Sequence, residues 1–171
     1  MMKLKRGTFF RPPTAEDIAF LAANMREADR RELKRWTGLD AEWGLKNSIA
    51  QSEVCFSGVF GDGKLACIFG ATRINLLESD AVIWALSTTE VDRHKVEFAA
   101  ATAAGLDLIF KAMPDTIEFG NWVDLDYTGA VRWIERNGGD FSITVPRRKG
   151  RCGGVFGNFY MINPYYKRED D

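Results

Sequence analysis

Between Trp84 and Lys95 the chain reads WALSTTEVDRHK. An apolar run closes on three hydroxyls, Ser87, Thr88 and Thr89, and the helical stretch that follows opens on Arg93, His94 and Lys95. Such an order can hold an anion: unpaired N–H groups at a helix N-terminus attract phosphate, and hydroxyls and cations add donors. Two features oppose it. No glycine lies between Trp84 and Gly105, so each of these N–H groups has a Cβ beside it, and Glu90 and Asp92 add negative charge. The plainer alternative is that the hydroxyls cap a helix and the cations are solvated.

Upstream, READRRELKR sets Asp29 and Glu32 three residues apart, able to share one helical face. Its alternating charge is also the pattern of a salt-bridged, solvated face. His94 is the only histidine, so any histidine acid–base chemistry must use it, although its place suits a solvent-facing residue. Cys55, Cys67 and Cys152 are odd in number and lack C-x-x-C spacing, which argues against a disulfide framework or a zinc site. Reduced thiols are expected, the first two buried in strands. Trp84, Trp122 and Trp133 read as core, whereas Trp36 and Trp43 could line a pocket or a protein contact. PRRKGR concentrates four positive charges, as a solvated loop or a contact for an anionic partner.

The elements that position these residues follow from periodicity and punctuation. Thr14, with Asp17 three residues on, predicts a capping box opening a helix over 15–27. Gly38 interrupts, and a second helix is expected over Leu39 to Ser52. Beyond Val54 the period becomes that of strands: two runs flank GDG, a hairpin signal of the tight primed type, and DAVIWALST forms a third strand. Thr89 is expected to cap a long helix, over 92–112, with Asp92 at the capping-box position. A strand at 116–123, a helix in YTGAVRWIERNGG and strands DFSITV and GVFGNFYMI complete the order ααβββαβαββ, with a short strand at GTFF in front. Helices among mostly antiparallel strands give an α+β domain, with one parallel pair across the 92–112 crossover.

With 171 residues, 46% of them hydrophobic, the chain suits one domain with a sizeable core, the core spanning 8–162 and 163–171 forming a disordered tail. A formal net charge of −1 gives no global field toward nucleic acid or a membrane surface. No stretch approaches the ~20 apolar residues of a membrane span, and MMKLKRGTFFRPP lacks a signal-peptide apolar run, so a cytoplasmic protein is expected.

The element order, with Ala130, Trp133, Gly138 and Phe141 in DYTGAVRWIERNGGDF, resembles the GNAT superfamily of N-acyltransferases. The runs ANMREADRREL, GKLACIFGATRI, WALSTTEVDRHKVEF and NWVDLDYTGAVRWIERNGG are further similar to GNAT-like proteins of tailed phages and prophages, related to an internal virion protein of short-tailed coliphages. Asp124 and Asp126 fall where that family has Asp and Asn. The resemblance implies a mixed, mostly antiparallel central sheet flanked by helices. It also implies acetyl-CoA or another acyl-CoA lying against Leu86, Ser87, Thr88, Arg93, His94 and Lys95. In active relatives the pyrophosphate turn carries Q/R-x-x-G-x-G/A, which STTEVDRHKV lacks, and a Tyr general acid stands where this chain has Ile134. Tyr127 is on the same segment, about two turns away. Carboxylates serve as bases in the superfamily, which makes Glu32, Asp29 and Glu78 candidates. The first two helices shape the acceptor groove there, beside Trp36 and Trp43. Two functions follow: acyl transfer from acyl-CoA to an amine at a degenerate site, or a non-catalytic virion or assembly protein whose scaffold binds other phage proteins.

Overall fold

The computed structural model describes residues 2–3, 7–73, 80–142 and 144–167, and Glu78 lies outside them. Nine strands among the described residues form one sheet: β1 Met2–Lys3, β2 Phe9–Arg11, β3 Val54–Val59, β4 Leu65–Arg73, β5 Asp80–Ser87, β6 Glu118–Asp124, β7 Asp140–Phe141, β8 Arg148–Lys149 and β9 Val155–Ile162. Their spatial order is β1-β2-β3-β4-β5-β6-β9-β7, with β8 also paired to β9. Every pairing is antiparallel except β5 with β6.

Helices α1 Ala15–Asn24, α2 Glu27–Thr37 and α3 Ala41–Gln51 precede β3; α4 Lys95–Ala112 makes the crossover from β5 to β6, and α5 Thr128–Arg136 follows β6. One core unites Leu21, Met25, Leu45, Ile68 and Leu86 under α1 and α3. A larger one joins Phe10, Phe69, Ile109, Phe119, Val123 and Ile134 beneath α4 and α5. β4 lies between the two, and its first seven residues are buried on both faces, as a near-continuous apolar run requires.

Local chemistry explains where the elements depart from expectation. The Thr14–Asp17 capping box forms, but α1 stops at Asn24 instead of running to 27. Met25 leaves the helical region (φ −59, ψ 138) because it is buried and pairs as an isolated bridge with Thr88 at the end of β5. The READRREL run therefore becomes a separate helix, closed by Gly38 in the left-handed conformation, and Asp40 caps α3 by accepting from the Trp43 N–H. At the GDG turn only Gly63 has positive φ, and the Gly63 N–H donates to the Phe60 carbonyl. The connection is thus a longer turn closed by a left-handed glycine rather than a two-residue primed turn.

Thr89 does not cap α4. Thr88 caps a short 3-10 turn over Thr89–Asp92 by accepting from the Glu90 N–H, and α4 begins only at Lys95, without a side-chain cap. DFSITV gives a strand at Asp140–Phe141 alone, and Ile143 lies outside the described residues. At the C-terminus order extends past 163. The buried Asn163 amide donates to the carbonyls of Met113 (3.1 Å) and Thr116 (2.8 Å), pinning the end of α4 to the chain after β9.

Candidate active site at a sheet wedge

β5 and β6 pair over only three residues each, Asp80–Val82 against Glu118–Gly120, and then separate, although β5 continues to Ser87 and β6 to Asp124. The Asn121 side chain spans the point of divergence, its Nδ2 donating to the Ile83 carbonyl (2.8 Å) and its Oδ1 accepting from the Trp122 N–H (2.7 Å). Beyond it the strands enclose a wedge. The Thr88 N–H donates to the Ala66 carbonyl, which fixes the pairing phase with β4. In that phase Ile83, Ala85 and Ser87 direct their main-chain N–H and C=O groups into the wedge.

α2 lies across the wide end and presents two carboxylates to it. Asp29 is buried; its Oδ2 accepts from the Ser87 N–H (2.8 Å) and the Ser87 hydroxyl (2.7 Å), and its Oδ1 accepts from the Tyr127 hydroxyl (2.9 Å). Glu32, one turn further, is half-buried and accepts from the Asp124 N–H at the end of β6 (2.8 Å). Burial, with the neighbouring charges of Asp29 and Asp124, pushes the Glu32 carboxyl up to about 7. Tyr127 stands just before α5; burial and the Asp29 charge push its phenol well above the ordinary tyrosine value, so it is protonated at neutral pH. The Arg26 guanidinium donates to the Tyr127 hydroxyl (2.9 Å) and to Asp92 (3.0 Å), tying α5 to the turn before α4. Asp124, fully buried, is held by Arg35 (2.7 Å), which also reaches Asp126 (3.0 Å).

Asp29, Glu32 and Tyr127 thus meet at one place, although they come from two segments about a hundred residues apart. Ile134 is buried in the core and faces no reacting group. Beside α2, Trp36 stacks on Trp122 (centroids 5.8 Å), with the Arg148 guanidinium over the Trp122 indole at 4.5 Å. Trp43 is exposed on α3. Arg26, Asn121 and Arg35 escaped the sequence reading. Arg26 sits in a stretch whose apolar spacing reads as unbroken helix, and only the dense charge around it hinted at pairing.

The turn differs from an anion cradle. Leu86, Ser87 and Thr88 are all buried, and the Thr88 hydroxyl donates to the Leu65 carbonyl (2.7 Å) while that of Ser87 is held by Asp29. Arg93 pairs with Glu90 (3.2 Å); His94 lies against Asp62 (Nε2–Oδ2 3.2 Å) and stacks on Phe60 (centroids 4.4 Å), so it is half-buried rather than solvent-facing. Lys95 makes no ion pair among the described residues. It borders a shallow concavity of about 330 Å³ lined by Asp92 to Glu97, where the first turn of α4 begins. The donors this place offers are the first-turn N–H groups of α4 and the Lys95 ammonium, not the turn hydroxyls. Among the described residues no cluster of His, Cys, Asp and Glu is disposed to hold a metal, and no helix is long and apolar enough to cross a membrane.

Solved acetyltransferases share this architecture over nearly their whole length. The spermidine N-acetyltransferase of Vibrio cholerae, solved in complex with CoA and spermine, matches with a TM-score of 0.68 over 94% of this chain and 98% of that one, at 16% identity. The ribosomal-protein-S5-alanine acetyltransferase of Vibrio fischeri matches with a TM-score of 0.68 over 98% of both chains, at 13% identity. The chain has the GNAT acyl-CoA N-acyltransferase fold. Neither a family model nor a curated protein matches its sequence.

Proposed function

We propose that the protein transfers an acyl group from an acyl-CoA thioester to an amine in the wedge between β5 and β6. The observation that carries this reading is the convergence of Asp29, Glu32 and Tyr127 on the mouth of that wedge. The bound thioester supplies an acyl carbon open to attack by nitrogen. A carboxylate with its pKa near 7 is suited to take the proton from the incoming amine, and Glu32 has that property. Tyr127 keeps its proton at neutral pH; once its hydroxyl turns from Asp29 it passes that proton to the departing sulfur as the carbon–sulfur bond breaks, while Arg26 holds the phenol oxygen in place. The exposed Ala85, with no strand partner on the wedge side among the described residues, offers its main chain to the pantetheine arm. Lys95 and the start of α4 take the pyrophosphate, with an affinity lowered by Glu90 and Asp92.

The test is calorimetry with acetyl-CoA and CoA, paired with an acylation assay over a panel of primary amines and polyamines. Millimolar donor that gives neither heat nor product overturns the reading.

A second reading has its own support in the Ser87 main chain, Arg93 and His94, which are already partnered within the protein. On that reading the fold is a scaffold retained in a phage or prophage, serving as an internal virion or assembly protein through protein contacts made by α1 to α3. Mass spectrometry of purified virions decides it, and absence of the protein from them overturns it. Both readings describe a single GNAT-like domain in the cytoplasm of a bacterial host, and the second adds a virion.

A further inference from the structure

Alternation along β5 gives the wedge three sets of main-chain groups, and two of them are occupied from within. The Ile83 carbonyl is taken by Asn121. At Ser87 the N–H donates to Asp29 and the C=O accepts from the Arg26 N–H (2.9 Å), while Met25 bridges the adjacent Thr88. The linker between α1 and α2 therefore lies on the end of β5 where a neighbouring strand would be. Between the two occupied positions, Ala85 is exposed and has no strand partner on that side among the described residues.

An extended ligand arm that pairs with Ala85 reaches Ser87 two residues on, about 7 Å further. There it meets a carboxylate accepting three hydrogen bonds, two of them from Ser87 itself. Bonds to an ionised acceptor are stronger than those between neutral groups, so a thioester or amide oxygen competes poorly for the same N–H. We propose that Asp29 is an internal competitor for the acyl donor: it occupies the Ser87 N–H and sets donor affinity by having to be displaced. This rests on the acyl-donor reading above. It also separates the roles of the two α2 carboxylates. Both Asp29 oxygens are engaged, whereas Glu32 holds one main-chain N–H through Oε1 alone.

The experiment is calorimetric titration of wild type, Asp29→Asn and Asp29→Ala with acetyl-CoA, each variant checked by circular dichroism. Asp29→Ala binds at least tenfold more tightly than wild type, and Asp29→Asn falls between them, because a neutral amide oxygen holds the N–H less strongly. A variant that binds while wild type is silent has the same meaning. Equal or weaker binding by Asp29→Ala, with wild type still binding, overturns the competitor and leaves the donor reading standing. Silence from all three overturns both. Should Asp29→Ala fail to fold, Asp29→Asn decides: binding tighter than wild type supports the competitor, and equal or weaker binding overturns it.

Discussion

Glu32→Gln isolates the electrostatic cost of placing a third carboxylate beside Asp29 and Asp124. The glutamine retains an oxygen to accept the Asp124 N–H and cannot ionise. In the folded protein the Glu32 carboxyl titrates at about 7, against 4.5 when unperturbed, a difference of about 2.5 units. At about 1.36 kcal/mol per unit, this corresponds to about 3 kcal/mol. Because the folded value is the higher one, the folded state holds the proton longer, and wild-type stability falls as pH rises from about 4.5 to 7. Above that the penalty is complete and constant. The variant lacks it, so the two proteins are closest in stability near pH 4.5 and differ by up to about 3 kcal/mol near pH 8, or about 6–12 °C in melting temperature for a chain of this size. Urea unfolding followed by tryptophan fluorescence across this range measures the difference. A stability gap that stays constant with pH refutes the reasoning.

Tyr127→Phe removes the proposed proton donor and lowers kcat by about a hundredfold or more, with acetyl-CoA affinity held within about threefold by calorimetry. Asp17, held by Arg11, the Thr14 N–H and the Ser57 hydroxyl, keeps its carboxyl below the ordinary value despite burial that pushes the other way. Asp17→Asn costs roughly 3 kcal/mol in denaturant unfolding, and the variant loses less stability than wild type as pH falls through the folded carboxyl value. Thiol labelling with a disulfide reagent is fast at exposed Cys152, slow at Cys55, whose burial raises it to about 11, and absent before unfolding at Cys67, raised to about 12. A methyl group at Gly150 would run into the Arg35 and Gly153 carbonyl oxygens, so Gly150→Ala lowers the melting temperature and loosens the β8–β9 hairpin from α2.

Strand alternation, the Thr14 box and the β5–α4–β6 crossover were readable in the sequence because each is local and marked by residue type. The break at Met25 was not, because its cause is a bridge to Thr88 more than sixty residues away. The same distance hid the site. Asp29 and Glu32 were visible as neighbours on a helix, but their solvated-face reading fails where Ser87 and Asp124 bring N–H groups to them. The hydroxyls of the turn mislead for a related reason: Ser and Thr types announce donors without saying which way they point, and Thr88 points at Leu65.

The short β5–β6 pairing also bears on how the molecule assembles. β4 meets β5 over seven residue pairs and β6 meets β9 over seven, but among the described residues the two halves of the sheet share only three main-chain pairs and the Asn121 amide. The antiparallel β3–β5 meander closes through nearby chain, whereas the parallel seam waits for the whole α4 crossover and must repay its loop entropy first. Across the seam it is therefore side chains that hold the sheet together, with Phe69 of β4 and Phe119 of β6 sharing one core, and the line along which a ligand would enter is the one where main-chain pairing resists it least.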